Sequence, residues 1–248
     1  MRSWNTYVWL GVGLCFTGVW VAPVAHFLLE STPITALGMS MLILGAVCLV
    51  LGRTRPRISP EASSLLLETS VENVSSILEE LGLTSRGIYL PSSKAQGVSQ
   101  ALVPLQPNPP SAIARRLPKR LIVKYGPRPE DMGLLITTPG SVAVRMLESI
   151  PGPTAAELED SLSSVLDGLL DVADAARVSM NGQAVTVRVS HPRLEYSNVR
   201  YYQCLGGPVA SIAAALAAEA TGRPVVVEKE EYSRGNSIIQ LRLLDEGL

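Results

Sequence analysis

A membrane hairpin of two helices followed by an α+β domain is the fold this sequence predicts, and three observations carry that expectation. The runs from Tyr7 to Leu29 and from Pro33 to Leu51 contain no Asp, Glu, Lys or Arg, and only Glu30, Ser31 and Thr32 separate them. Arg53, Arg55 and Arg57 follow the second run at once. Beyond Gly52, segments of helical and of strand periodicity alternate. At a rise of about 1.5 Å per residue each run crosses, or nearly crosses, a hydrocarbon core of about 30 Å. So short a link forces the two helices antiparallel.

Cations set the expected orientation, because Lys and Arg flanking a span stay on the cytoplasmic side. Arg2 precedes the first helix, three arginines follow the second, and the link has none. Both termini are therefore expected in the cytoplasm, in a two-pass protein of the cell membrane. Trp4, Tyr7 and Trp9 stand near the first boundary, where amphipathic rings favour the interface. A cleaved signal peptide is the competing reading of the first run. It is disfavoured by the length of the run, by the single cation before it, and by Pro23 in the third position before a cut after Ala25. His26 reads as an interfacial side chain rather than a proton relay. Cys15 and Cys48 read as apolar fillers, and Gly11, Gly13, Gly18, Gly38 and Gly45 as points of close helix approach.

Composition narrows the function classes. The chain has 248 residues and a formal net charge of −1, which argues against a nucleic-acid partner. Of its three cysteines only Cys204 lies beyond the hairpin, so no disulfide framework or cysteine-rich metal site is expected there. No cofactor is predicted. Neither GxxxxGK[ST] nor a GxGxxG after a strand occurs.

Along the remaining chain, Ser59 as N-cap, Pro60 at the first helical position and Gly82 past the end bracket an amphipathic helix carrying Leu66, Leu67, Val71, Val74, Ile77, Leu78 and Leu81. Strands are expected at 87–90, 101–105, 121–125 and 133–137, with a proline-rich loop from Pro104 to Pro118, and a short helix at 141–150. Pro151-Gly152-Pro153 is the best internal boundary. Residues 1–52 are thus read as the hairpin (helices at about 7–29 and 33–51), 53–150 as one α+β subdomain and 154–248 as another. Thr154 with Glu157 forms a capping box for a helix expected to run to about Arg177. Asn181-Gly182 turns into a strand at 184–189, a small-residue helix follows Gly206-Gly207-Pro208 and stops at Gly222, and strands at 224–228 and 237–243 close the segment. A mixed sheet with helices packed on one face is expected.

The run YQCLGGPVASIAAALAAEATGRPVVVEKEEYSRGNSIIQLRLL, Tyr202 to Leu244, resembles the end of the vinyl-reductase domain, a ligand-binding relative of the transport-particle subunit fold. That family closes with a small-residue helix, a glycine, a strand entering a glutamate, a Gly-Asp turn and a last strand. Gly222, Val225 to Val227, Glu228, Gly235-Asn236 and Ile239 to Leu243 take those places here. Glu231 and Ile239 stand where the family often has cysteines, so its metal site is not carried over. The resemblance implies a fold that binds a ligand or partner.

Several local features remain. Gly206 and Gly207 at a helix start, with Ser211 and Cys204 nearby, form the candidate ligand site, a tight turn being the plainer reading. Cys204 with His191 as nucleophile and base is the weaker alternative to a buried thiol. Glu228, Glu230 and Glu231 beside Lys229 and Arg234 read as a solvated strand end. Arg53, Arg55 and Arg57, together with Arg115, Arg116, Lys119, Arg120 and the neighbouring Lys124, are the candidate contacts with anionic lipid. The expected function is a membrane-anchored ligand-binding or assembly module without catalysis. An accessory subunit of a larger membrane complex and a membrane-tethered enzyme are the alternatives. The expected partners are the bilayer, a small molecule, and a membrane protein or a second copy of the chain.

Overall fold

The computed structural model describes residues 6–54, 60–106, 116–147, 149–194, 199–233 and 235–245. The chain forms two units, Met1–Leu66 and Leu67–Leu248. Ser59, the expected N-cap, lies outside the described residues, as do Arg2, Trp4, Arg55, Arg57, Arg115 and Arg234.

In the first unit, α1 (Thr6–Phe27) and α2 (Thr32–Thr54) form an antiparallel pair. Their seam is built from small residues. Gly11, Gly18, Ala22 and Ala25 of α1 and Gly38, Gly45, Cys48 and Gly52 of α2 are buried. The large side chains point outward: Phe16, Trp20 and Ile43 are exposed by 66%, 63% and 65%. Only 22% and 17% of the most apolar windows of the two helices are buried within the protein. Such a surface suits lipid and not water, so this is a membrane-associated region. Small residues let the backbones approach, and van der Waals packing then holds a pair that no hydrophobic force would close in lipid.

The second unit is an α+β domain built on one sheet in the order β3-β4-β2-β1-β7-β8-β6-β5. Its strands are β1 (Ile88–Leu90), β2 (Gln100–Pro104), β3 (Ile122–Lys124), β4 (Met132–Ile136), β5 (Ala175–Asn181), β6 (Ala184–Ser190), β7 (Val225–Ser233) and β8 (Asn236–Leu243). The expectation of a mixed sheet is corrected, since every pairing among the described residues is antiparallel. The connections β1–β2, β3–β4, β5–β6 and β7–β8 carry no helix, and parallel neighbours need a long crossover. The pairing of Ile88 with Val226 and of Tyr89 with Val225 joins strands from 53–150 and from 154–248 in that one sheet.

Helices cover one face. These are α3 (Pro60–Glu80), through Val71, Val74 and Leu78 of its later turns, α4 (Pro139–Met146), α5 (Ala155–Ser163), α6 (Arg200–Leu205) and α7 (Pro208–Thr221). One core cluster takes Leu78, Leu158, Leu162, Leu166, Leu205 and Leu216 together with Tyr89, Val103, Val187, Val225 and Leu241 of the sheet. The opposite face of the first strands is closed by loop residues: Ala95, Leu117 and Tyr125 pack on Ile88, Leu90, Leu102, Val123 and Leu135. The segment Arg200–Thr221 is also long and apolar enough to cross a membrane, but it is broken at Gly206-Gly207 and 83% buried in this domain. It reads as core.

The capping box at Thr154 forms as expected: the Thr154 hydroxyl accepts from the Glu157 N–H at 3.3 Å, and Glu157 returns a bond to the Thr154 N–H at 3.2 Å. The Thr154 hydroxyl, and then the Thr154 N–H, donating to the Glu157 carboxylate hold it below its ordinary range. The helix it starts does not reach Arg177. It passes into a π-helical turn at Ser164–Leu169, Asp171 takes a φ of 50°, and Ala175 to Asn181 become β5 against β6. Ladder bonds to β6 outweigh the local helical pattern there.

Candidate functional site

The junction between α6 and α7 faces β7 across an open groove of about 280 Å³. Its shape follows from two backbone devices. Gly206 ends α6 with φ at 77°, a conformation that favours glycine, and a Cβ there would lie 3.1 Å from the Ala210 Cβ. On the other side, β7 slips register against β8 between Val227 and Lys229, so Glu228 is the extra residue of a bulge. Val227 pairs with Leu241 and Glu230 with Ile239, both on the helix-covered face. Without the bulge, Lys229 and Glu231 would face inward instead of Glu230.

Glu230 uses this orientation. Its carboxylate accepts the Gly207 N–H at 2.8 Å, at the N-terminus of α7. An internal anion thus already meets the positive end of that helix. Glu228 pairs with Arg242 at 2.8 Å, Lys229 pairs with Glu231, and Arg86 donates to the Val227 carbonyl at 3.0 Å beside the bulge. Arg86, Tyr202, Gln203, Cys204, Gly206 and Val227 line the groove with residues 228–230.

The candidate residues fall into two places. Cys204 and Gly206 line the groove, and the Gly207 N–H is held at its edge by Glu230. Ser211 lies inside the domain, 2% exposed, where its hydroxyl accepts the Gly140 N–H at 3.1 Å and fastens α4 to α7. The Cys204 thiol is buried, directed at the Leu83 carbonyl at 3.8 Å, and burial pushes its pKa up, so it is neutral near pH 7. His191 is engaged elsewhere, its Nδ1 lying 3.0 Å from Asp174 Oδ2. Among the described residues no group of three or more His, Cys, Asp or Glu could hold a metal ion. Of the candidate lipid contacts, Arg53, Arg116, Lys119 and Arg120 are described and exposed.

Beneath the groove, Tyr89 is fully buried and its hydroxyl donates to the Leu205 carbonyl at 2.6 Å, while the Gly87 N–H donates to the Cys204 carbonyl at 2.7 Å. Burial drives the Tyr89 phenol far above its ordinary pKa, so it stays a donor. Tyr89→Phe should therefore lower stability by about 1–2 kcal/mol, because a buried carbonyl loses its partner. The check is thermal melting followed by circular dichroism; an unchanged midpoint would refute a structural role for this bond.

Sequence reasoning missed Arg86, which lies far along the chain from Val227, and it missed the inward turn of Glu230. No local signal marks a bulge inside an apolar run entering Glu228-Lys229-Glu230-Glu231.

The chain belongs to the family described as Domain of unknown function (DUF7982), whose model matches residues 5–243. That match spans the apolar helix pair and the α+β domain alike. No curated protein and no solved structure matches the chain.

Proposed function

We propose that this member of the DUF7982 family is a two-pass membrane protein with both termini cytoplasmic, whose α+β domain binds a small polar ligand and carries no reaction of its own. The groove at the α6–α7 junction is the observation that carries the reading. It offers Arg86 against Glu228 and Glu230, beside Tyr202, Gln203 and Val227, in a volume of about 280 Å³. A concave site with a few convergent polar groups is the usual form of a ligand site, and this volume suits a small one. Orientation rests on the arginines at positions 2, 53, 55 and 57. The likeness to the vinyl-reductase domain adds support, since helix, glycine stop, strand, glycine turn and strand follow one another in the same order.

Native mass spectrometry of the full chain, extracted from its own membrane in mild detergent, tests the reading. A small-molecule adduct that disappears in Arg86→Glu, with the domain still folded by circular dichroism, is expected. A bare chain, or an adduct indifferent to that substitution, would sink it.

A second reading, the accessory subunit of a larger membrane complex, is favoured by one feature. Gly13 faces away from α2, with nothing within 4 Å of a Cβ built there, and Thr17 one turn on is exposed. A small-residue face of this kind suits a further spanning helix. Defined additional protein masses in the same spectra would select it.

A further inference from the structure

The loop Pro91–Ser99 and the segment Arg116–Leu121 are sewn together on the sheet face that carries no helix. The Leu117 N–H donates to the Lys94 carbonyl at 2.8 Å, the Lys119 N–H to Gln96 Oε1 at 3.3 Å, and Arg116 Nε to the Ser93 carbonyl at 3.1 Å. Leu117 and Ala95 are buried below. The loop is also pinned from the core. Glu219 of α7, 8% exposed, accepts the Ser92 N–H at 2.6 Å and the Ser92 hydroxyl at 2.9 Å. What this scaffold presents is therefore held in shape.

It presents cations and apolar side chains together. Arg116, Lys119, Arg120 and Lys124 are exposed, and among the described residues none of them is in an ion pair. Between them, just before and on the edge strand β3, Leu121 and Ile122 are exposed by 58% and 53%; Ile122 pairs with Leu134 and so, with Lys124, projects on the helix-covered side of that edge, while Val123 packs on the other. The cations and the shortness of β3 blunt this edge against strand pairing, and two large apolar side chains among the cations make it basic and apolar at once. An anionic bilayer matches both halves of the patch, with phosphates for the cations and the acyl boundary for Leu121 and Ile122. The chain's own apolar helices also tether the domain to a bilayer, which raises the local lipid concentration.

We propose that the β3 edge of the sheet, with Arg116, Lys119, Arg120 and Leu121 leading into it and Ile122 and Lys124 on the strand itself, docks the domain on anionic lipid. The docking rests on the membrane-anchored reading and is independent of the groove and its ligand. The test is hydrogen exchange of residues 116–124 in the full chain, reconstituted in nanodiscs of neutral phosphatidylcholine or of phosphatidylcholine mixed with phosphatidylglycerol. Exchange should slow on the order of tenfold or more in the anionic discs. That protection should vanish in high salt and in Lys119→Glu/Arg120→Glu, while exchange in β8 stays unchanged as the check on folding. Equal exchange in the two lipids overturns the proposal. So does protection already present in neutral discs, or surviving the double reversal, either of which marks a protein contact. A chain that leaves both kinds of disc would overturn the anchoring, and the docking with it.

Discussion

Gly45→Leu should force the two apolar helices apart while leaving the α+β domain intact. A Cβ on residue 45 would lie 2.6 Å from Cys15 Sγ, 2.8 Å from the Cys15 backbone nitrogen and 3.0 Å from the Gly11 carbonyl oxygen. Two of those atoms are backbone, so no rotamer change relieves the contact and α1 itself must move. Overpacking of this kind costs about 1–3 kcal/mol in an ordinary core. In lipid the cost is felt more, because nothing hydrophobic draws separated helices back together. The chain supplies its own reporter. Its three tryptophans, Trp4, Trp9 and Trp20, all precede the α+β domain, so intrinsic tryptophan emission follows the hairpin alone. In mild detergent the tryptophan transition of Gly45→Leu should move well below that of the parent, with the circular dichroism transition of the domain unmoved. Gly13→Leu is the control and should be silent. Coincident tryptophan transitions for Gly45→Leu and the parent would refute the seam.

This seam also changes the meaning of the glycines. The sequence marks Gly38 and Gly45 as points of close helix approach without saying to which helix, and in the structure Gly38 sits against Ala22 and Gly45 against Cys15 of the same chain. Loss of a partner after substituting either would therefore report a broken hairpin rather than a lost interface. The seven-residue spacing of Gly11 and Gly18, matched by that of Gly38, Gly45 and Gly52, is the signal that pairs them within the chain.

What was legible in the sequence is what local chemistry decides. The apolar runs, the Thr154 capping box, the Asn181-Gly182 turn and the glycine stop at Gly222 each announce themselves within a few residues, and each forms. What was not legible depends on partners far along the chain. Leu158 to Ala173 keep a helical stripe, so β5 stays hidden until β6 is there to pair with it. Strand direction across the β1–β7 joint is a property of the sheet and not of either strand. The groove is likewise non-local, since it needs Arg86 against Val227 and a bulge that turns Glu230 inward. Only its floor, Cys204 and Gly206, could be named beforehand.

Gly140→Ala should be the most damaging single methyl in the α+β domain. The residue sits in the first turn of α4, where Thr138 and Ser141 close a capping box, and its N–H is held by the Ser211 hydroxyl of α7. An added Cβ would lie 2.1 Å from the Ser211 carbonyl oxygen and 2.7 Å from the Ala215 Cβ. Neither can yield, because α7 is buried from Val209 to Ala220 between the sheet and the helices outside it. The helix α4 must lift instead, giving up the Gly140–Ser211 bond and the burial of Ala143. We expect a loss of about 3 kcal/mol or more, or roughly 6–12 °C in melting temperature for a domain of this size. The dichroism transition of the full chain should fall by that amount with the tryptophan transition of the hairpin in place, the converse of Gly45→Leu. Gly168→Ala, with nothing within 4 Å of its Cβ, should stay within about 1 kcal/mol of the parent. If Gly140→Ala and Gly168→Ala melted together, the close approach of α4 to α7 would be wrong, and with it the account of Ser211 as a fastener rather than a ligand contact.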